Sequence, residues 1–373
     1  MKQQWKNDQH KMENEEKIFH FMFSTMDIDW KNTKRVLIVR LRSIGDTVLA
    51  TPSLIALRRF LPEAQIDILL EDWVAPVLQG FDAVDNIIII SRSEKKARFE
   101  TALKLRRNKY DAVFNLHGGT TATFFVRVSG AKARIGYKNY QYNFLYTHRA
   151  PDSAQFWHQE QVHSAEHQLA LLGSVGVPVV DKPKSRLVVN EGVRKSIENK
   201  LAEFRIRNPK SKIALLHPAA AFDSKQWATE KFTRVAEFLY KRGFNPVAVA
   251  APNEREVLEN LKRTARVPIM TFDDLSLPEI TALASSAELF VGNDSGIAHI
   301  AAAVETPTVV IFGSSNIYHW HPWTNAPNEI VYYAGNNFDK QKFIEQITVE
   351  NVIEAIEKVL SSQYIQTALR QVT

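Results

Sequence analysis

The chain contains no cysteine among its 373 residues, so disulfides, thiolate nucleophiles and cysteine metal ligands are excluded. An oxidising compartment is therefore not required, and a cytoplasmic protein is the simpler expectation. The sequence also has no uninterrupted apolar run that approaches the length of a membrane span. Its first 31 residues are polar and of mixed charge, without the apolar core of a secretory signal. We therefore expect a soluble cytoplasmic protein.

A strong charge of either sign is also missing. The 47 lysines and arginines exceed the 41 acidic residues by a net charge of only +6. This excess fits an anionic substrate or an anionic membrane surface, but it is too weak to indicate nucleic acid. Basic sheet motifs with interleaved aromatics and zinc-finger spacings are absent. The histidines show no metal-like pairing with acids, so we expect neither a nucleic-acid partner nor a bound metal.

Short apolar runs alternate with amphipathic helical stretches along most of the chain. The first run, Val36–Val39, is apolar throughout, which is typical of a strand buried on both faces of a parallel sheet. The helix after this strand is expected to reach Leu61, and the last helix to run from Thr348 to Leu360. The alternation pauses at a linker near residues 176–184 and then resumes. The pattern predicts an α/β protein with two Rossmann-like, doubly wound domains that face a central cleft at their strand ends. The predicted parts are an N-terminal extension (1–33), a first domain (34–183), a second domain (184–345) and a C-terminal helix and tail (346–373).

The stretch Gly292–His299 joins a predicted strand to a helix of small residues. We expect Asp294 to be the N-cap, with Ser295 and Gly296 in the first turn. His299 lies four residues after Ser295, so both project from the same side of the helix. The free N–H groups and the positive end of the helix dipole suit a phosphate. An ordinary helix cap with a half-buried histidine is the alternative.

Asp46 follows Gly45 where the first strand gives way to a helix. A carboxylate at this edge of the sheet is positioned to deprotonate an incoming hydroxyl, and the glycine beside it lets a substrate approach the backbone. The alternative is a carboxylate that only caps the helix.

Two turns in the second half hold further candidates. A loop of small residues after His217 carries Lys225, whose point charge suits phosphate oxygens, although it could also be a surface lysine. This loop is not a Walker motif, and the turn after the first strand is not a dinucleotide fingerprint. Asn253 and Glu254 follow another strand and could bind the hydroxyls of a ribose or cap the next helix.

A basic segment lies between the third and fourth strands of the first half. A solvated helix face explains much of it, and an anion-binding role is the other interpretation. Its residues are Arg92, Lys95, Lys96, Arg98, Lys104, Arg106, Arg107 and Lys109.

Together these segments resemble glycosyltransferase family nine, the ADP-heptose:lipopolysaccharide heptosyltransferases. The likeness runs from about Arg35 to Trp323 in the order of the family's motifs. The residues that carry it are Val36–Arg40 with Ser43–Asp46, Tyr110–Val113 with Gly118, His217–Pro218 with Lys225 and Trp227, and Val291–His299 with Gly313.

The resemblance implies a GT-B type fold and an inverting transfer that needs neither a metal nor a cofactor. The second half would bind ADP-heptose, and the first half would bind the inner core of lipopolysaccharide (Kdo or the first heptose) at the inner face of the cytoplasmic membrane. By the same resemblance Asp46 is the general base and Lys225 holds donor phosphate. The further donor residues are Asn253, Glu254, Asp294, Ser295, Gly296 and His299. The expected acceptor residues are Arg42, Ser43, Gly45, Arg92, Lys95, Lys96, Arg98, His117 and Gly118.

Two other functions fit the same pattern. A sugar-nucleotide epimerase of similar two-domain build would bind a UDP-sugar and transfer nothing. A non-catalytic protein that binds nucleotide sugars is the second alternative, and the presence of both Asp46 and Lys225 argues against it.

Overall fold

The computed structural model describes residues 28–91, 94–205, 212–334 and 343–372. Most of the predicted N-terminal extension and Arg92 lie outside these ranges. The described strands are β1 (Arg35–Val39), β2 (Gln65–Glu71), β3 (Asn86–Ile90), β4 (Ala112–Asn115), β5 (Ala133–Tyr137), β6 (His148–Ala150), β7 (Lys212–His217), β8 (Phe244–Val249), β9 (Met270–Phe272), β10 (Leu289–Asn293), β11 (Thr308–Ile311) and β12 (Asn328–Val331).

Helices connect these strands. They are α1 (Ile44–Val48), α2 (Thr51–Phe60), α3 (Lys95–Arg107), α4 (Gly119–Val128), α5 (Ser153–Trp157), α6 (Ser164–Gly173), α7 (Glu191–Arg205), α8 (Thr229–Lys241), α9 (Arg255–Thr264), α10 (Leu277–Ser285), α11 (Gly296–Ala303), α12 (Ile317–Trp320) and α13 (Val349–Val372).

The strands form two six-stranded sheets with the orders β3-β2-β1-β4-β5-β6 and β9-β8-β7-β10-β11-β12. Every neighbouring pair is parallel. Counted from its own first strand, each sheet has the same doubly wound order. The order reverses between β1 and β4 in one sheet and between β7 and β10 in the other, and ligands bind at such switch points. The predicted fold of two Rossmann-like units is confirmed.

The central strands are apolar because helices cover both faces of each sheet. Leu37 and Ile38 point to opposite faces of the first sheet, and both are fully buried. Leu215 and Leu216 do the same in the second sheet. This burial fixes the carboxyl ends of β1 and β7, from which the candidate site residues extend.

Two helix predictions needed correction. The helix expected to reach Leu61 is divided into α1 and α2, because Pro52 is accommodated only in the first turn of a helix, which makes Thr51 a new start. The last helix, predicted to end at Leu360, continues to Val372. It packs on β12 and α8 through buried residues such as Val352 and Ile356.

The two halves meet where α1 crosses α11. A Cβ on Gly45 would lie 2.8 Å from Cδ2 of His299, and a Cβ on Gly296 would lie 2.8 Å from Cβ of Ile44. Contacts this short do not occur between real side chains, so both positions require glycine for this crossing. The crossing brings the first turns of two helices, one from each half, to the same point of the cleft.

Candidate active site

A cavity of about 600 Å³ lies between the carboxyl edges of the two sheets. The first half contributes the start of α1, including Gly45 and Asp46, and the second half contributes the loops after β7, β8 and β10. Both switch points therefore open into one space, as the doubly wound order predicts.

Asp46 occupies the first turn of α1 and faces this cavity. Its Oδ2 accepts a hydrogen bond from Oγ of Ser43 at 3.0 Å, while its Oδ1 forms an ion pair with the Arg40 guanidinium. The side chain of Arg40 is 7% exposed and that of Asp46 is 23% exposed. The Nη1 of Arg40 also donates to the Leu116 carbonyl at 2.8 Å. Asp46 thus both stabilises the start of α1 and lines the cavity. A capping role and a role in the cavity are therefore compatible.

His117 follows β4 at the first switch point. Burial lowers its pKa to about 4, and the positive charges of Arg40 and Arg42 act in the same direction. Its Nδ1 is buried and has no hydrogen-bond partner within the described part of the chain. Gly118 has a φ of 71° and packs against the ring of Tyr140. His117 thus lies near Arg40 and Arg42 at the carboxyl edge of the first sheet. His117 does not line the cavity.

Asp294 is not the cap of α11, contrary to the prediction. Ser295 is the N-cap, and its Oγ accepts a hydrogen bond from the N–H of Ala298 at 3.4 Å. Asp294 instead accepts from Nζ of Lys225 at 2.9 Å and from Oγ of Ser315 at 2.5 Å. The Asp294 carboxylate is nearly buried. A buried charge is costly without a partner of opposite sign, so Asp294 pairs with Lys225 and the capping role falls to Ser295.

Asn293 fixes the loop that carries Lys225. Its Nδ2 donates to the Pro218 carbonyl at 2.9 Å, and its Oδ1 accepts from the N–H of Trp227 at 3.1 Å. Trp227 is fully buried, and its Nε1 donates to the Ile347 carbonyl at 2.9 Å. Lys225 therefore projects from a loop anchored at both ends.

His299 lies between the two halves and lines the cavity. Burial lowers its pKa, while the carboxylates of Asp294 and Asp46 act in the opposite direction. Its Nδ1 is buried without a hydrogen-bond partner among the residues that the structure describes. A neutral imidazole with an unused nitrogen therefore stands where the two switch points meet.

The far end of the cavity is mainly apolar. Leu275, Leu277 and Ile280 form a wall there that suits an adenine-sized ring. Glu254 also lines the cavity, although its Oε2 already accepts from the N–H of Ala251 at 3.0 Å. Asn253, predicted to accompany it, is exposed and outside the wall.

None of the basic segment's residues that the structure describes lines the cavity. Lys96 and Arg98 lie on α3, and Lys95 is the first residue of that helix. They therefore belong to a separate surface of the first half. Within the described ranges, no group of three histidine or acidic side chains is arranged to hold a metal ion, and no helix is long and apolar enough to cross a membrane.

Several site residues were missing from the prediction. Arg40 was visible in the first motif, but only the folded chain pairs it with Asp46. Ser315 lies in the loop after β11, and the apolar wall comes from α10 and the loop before it. No local pattern singles these residues out. Trp73 and Trp320 also line the cavity.

Two Rossmann-like units in tandem, with a nucleotide-sized cavity at their facing switch points, have the architecture of the GT-B fold. The chain belongs to glycosyltransferase family 9 (heptosyltransferase), whose family model matches residues 98–348, more than half of its length. The protein is therefore an enzyme of the heptosyltransferase class, as its motifs predicted.

Among individual relatives, lipopolysaccharide heptosyltransferase 3 of Escherichia coli is 28% identical over 356 residues, which cover 88% of this chain and 100% of the relative. Among solved structures, the E. coli ADP-heptose LPS heptosyltransferase II superposes with a TM-score of 0.75 and 19% identity, covering 88% of this chain and 99% of that one. The E. coli heptosyltransferase WaaC with ADP gives a TM-score of 0.67 and 20% identity, with 87% and 99% covered. At sequence identities of 19% and 20%, these structural matches support the fold alone.

Proposed function

We propose that this enzyme transfers heptose from ADP-heptose to the inner core of lipopolysaccharide, onto Kdo or the first heptose, with inversion and without a metal. The observation that carries the proposal is one cavity with Asp46 on its first-half wall and Lys225 on its second-half wall. A base for the acceptor and a cation for the departing diphosphate are what this transfer requires. The related E. coli enzyme solved with ADP supports the choice of donor.

On the acceptor side, Asp46 takes the proton of the attacking hydroxyl. The hydroxyl oxygen forms a bond to the anomeric carbon of the heptose while the bond from that carbon to the diphosphate breaks. Attack from the face opposite the leaving group inverts the configuration. Arg40 holds the carboxylate from behind, so that its exposed edge stays turned toward the cavity.

On the donor side, Lys225 and the first turn of α11 neutralise the charge that develops on the diphosphate. Ser295 and Gly296 present backbone N–H groups at the positive end of the helix. Asp294 orients Lys225 through their 2.9 Å contact. His299 lines the same cavity and is a further contact for the donor in this proposal. Because these groups supply the positive charge, a metal is not needed for it.

Glu254, which lines the cavity, completes the donor side in this proposal as a contact for the ribose, together with Asn253 beside it outside the wall. Residues 34–183 form the acceptor half and residues 184–345 the donor half. Arg42, Ser43, Gly45, His117 and Gly118 surround the acceptor at the first switch point. The enzyme works on the inner face of the cytoplasmic membrane, where Arg92, Lys95, Lys96 and Arg98 attract phosphorylated head groups.

The test is incubation of the enzyme with ADP-heptose and a panel of truncated lipopolysaccharides, followed by mass measurement of the products. We expect one acceptor to gain the mass of one heptose. The exposed Glu63→Gln substitution in the first half is a matched control for loss of one negative charge and should leave the gain intact. No mass gain on any acceptor would rule out the transferase, and conversion of a UDP-sugar without transfer would support an epimerase.

A further inference from the structure

Helix α3 and the two residues that follow it hold the charge imbalance of the chain. Residues 95–109 contain seven basic residues and one acidic residue, a net charge of +6 that equals the formal charge of the whole protein. The remainder of the chain is therefore balanced. A charge concentrated on one helix makes this part of the surface, rather than the protein in general, attractive to an anionic partner.

Aromatic and aliphatic side chains stand exposed among these charges. On α3, Lys96, Phe99, Leu103 and Arg107 follow one another at spacings of three and four, so they share one face. Phe99 is 65% exposed and Leu103 is 40% exposed. The core face of the same helix is supplied by other residues, such as the fully buried Leu105. Phe99 and Leu103 are thus not required for the core.

The neighbouring helix α4 extends this surface. Phe124 is 50% exposed, whereas Phe125 beside it is fully buried in the core. Phe99 and Phe124 flank a shallow hollow of about 430 Å³, with Thr120 at its border. Exposed aromatic side chains surrounded by cations are typical of a protein surface that binds an anionic bilayer. The aromatic rings enter the boundary between head groups and acyl chains, and the cations contact lipid phosphates.

The orientation of the helices relates this surface to the cleft. In a parallel sheet the helices run opposite to the strands, so the first turns of α3 and α4 lie at the carboxyl edge of the first sheet. Asp46 lies at the same edge, and β4, which leads directly into α4, is the neighbour of β1. A bilayer that contacts the N-terminal parts of these helices, at Lys96, Phe99 and Phe124, therefore has its head groups on the cleft side of the molecule.

We propose that the α3–α4 face, formed by Lys96, Phe99, Leu103, Lys104, Arg107 and Phe124, docks the enzyme on an anionic lipid bilayer. Phe99, Leu103 and Phe124 enter the interface, and the cations contact lipid phosphates. Charge complementarity selects this occupant over a second copy of the chain, because two copies would bring the cations Lys96, Lys104 and Arg107 of both faces together. The inference rests on the proposed function only in taking the acceptor to be carried by a lipid.

Sedimentation with vesicles tests the docking directly, without donor or acceptor. Vesicles of equal parts phosphatidylglycerol and phosphatidylcholine should bind the wild-type protein, and pure phosphatidylcholine vesicles should bind it at least about tenfold more weakly. Phe99→Ser with Phe124→Ser should lower binding to the anionic vesicles about tenfold or more. Tyr240→Ser, an exposed aromatic beside cations on the second half, is the matched control and should bind as the wild type does.

Charge-reversal variants test the contribution of the cations on the α3–α4 face. Lys104→Glu with Arg107→Glu should abolish most of the vesicle binding, whereas Lys241→Glu with Lys262→Glu, the same change on exposed positions of the second half, should retain it. Binding of the double phenylalanine variant at wild-type strength would overturn the proposal. So would a wild-type dimer that this variant converts to a monomer in the absence of lipid binding.

Activity separates this inference from the proposed function. The Phe99→Ser and Phe124→Ser variant should transfer heptose to a deacylated, water-soluble acceptor at the wild-type rate, and to the same acceptor embedded in vesicles at least about tenfold more slowly. Equal rates on both acceptors would refute the docking while leaving the transferase intact. Absence of transfer to either acceptor by the wild type, with vesicle binding intact, would refute the transferase alone.

Discussion

The two halves of the protein share one strand order, yet their switch points carry ion pairs of opposite polarity. In the first half the cation is buried and the anion faces the cavity: the side chain of Arg40 is 7% exposed and that of Asp46 is 23% exposed. In the second half the anion is buried and the cation faces the cavity: Asp294 is 7% exposed and Lys225 is 28% exposed. In each pair the buried residue holds its partner in position, and the more exposed residue faces the cavity. We call these the inner and the outer member of the pair.

This difference shows how one scaffold produces two chemistries. A doubly wound sheet provides the same edge in both halves, and the choice of the buried partner decides which sign is presented. The first half presents a carboxylate, which suits a hydroxyl that must lose its proton. The second half presents an ammonium group, which suits a leaving diphosphate.

The largest effect should come from removing the outer group of the first half. Asp46→Asn keeps the shape of the side chain but cannot accept the proton, and we expect the rate of heptose transfer to fall by about 10²- to 10⁴-fold. Rates of product formation, measured at saturating donor, check this. ADP binding measured by calorimetry should remain, because the donor half is unchanged. Wild-type turnover in this variant would show that Asp46 is not the base.

Removing the outer group of the second half should be the next largest change. Lys225→Ala deletes the cation that faces the diphosphate, and we expect a loss of about 100-fold in kcat/KM for the donor, with weaker binding of ADP. Lys225→Arg should recover part of this loss because it restores the charge. Lys241→Ala, an exposed lysine of the same half, is the control. An unchanged ADP affinity in Lys225→Ala would contradict the assignment.

The inner members of the pairs should matter less than the outer ones. Arg40→Met preserves most of the volume of the buried side chain but frees the Asp46 carboxylate, and we expect transfer to slow by about 10- to 100-fold through misplacement of the base. A double-mutant cycle with Asp46→Asn measures the coupling. If Arg40 acts only through Asp46, the double variant should be no slower than Asp46→Asn alone. Additive losses would indicate a separate role for Arg40.

The outer residues could be predicted from sequence because they follow the apolar runs that form the central strands. Val36–Val39 marks the strand, and whatever comes directly after such a strand lies at the carboxyl edge of the sheet. The ion pairs could not be predicted in this way. Lys225 and Asp294 are 69 residues apart, and their contact exists only after β7 and β10 are paired. Pairing across such a distance leaves no periodic pattern.

The cap of α11 illustrates the same limit. Asp294 and Ser295 are both good N-cap residues, so local chemistry does not choose between them. The choice depends on Lys225, which takes the carboxylate and leaves the serine hydroxyl to the helix. The division between α1 and α2, in contrast, has a local cause in Pro52 that the sequence does display. The error about the cap of α11 can be corrected only with the tertiary structure. The error about the division between α1 and α2 can be corrected from the sequence.

The smallest effect concerns a second contact between the two halves, separate from the crossing of α1 and α11. His163, at the start of α6, places its ring 4.6 Å from that of Trp323 in the second half. Its Nε2 is 2.8 Å from the His321 carbonyl, and its Nδ1 accepts from the N–H of Ala165 at 3.1 Å. Burial lowers the pKa of His163 to about 2, so the native protein keeps this ring neutral.

Acid should therefore weaken this contact. Between the ordinary histidine pKa of about 6.5 and the native value, the unfolded chain binds a proton that the native chain does not, so stability falls as the pH falls. From one histidine we expect a loss of about 1.4 kcal/mol in the free energy of unfolding by pH 5.5. Urea titrations at pH 7.5 and 5.5 measure it. His163→Gln should lose this part of the pH dependence, whereas the exposed control His158→Gln should keep the wild-type slope. The same slope in both variants would mean that acid acts on the halves separately rather than on the contact between them.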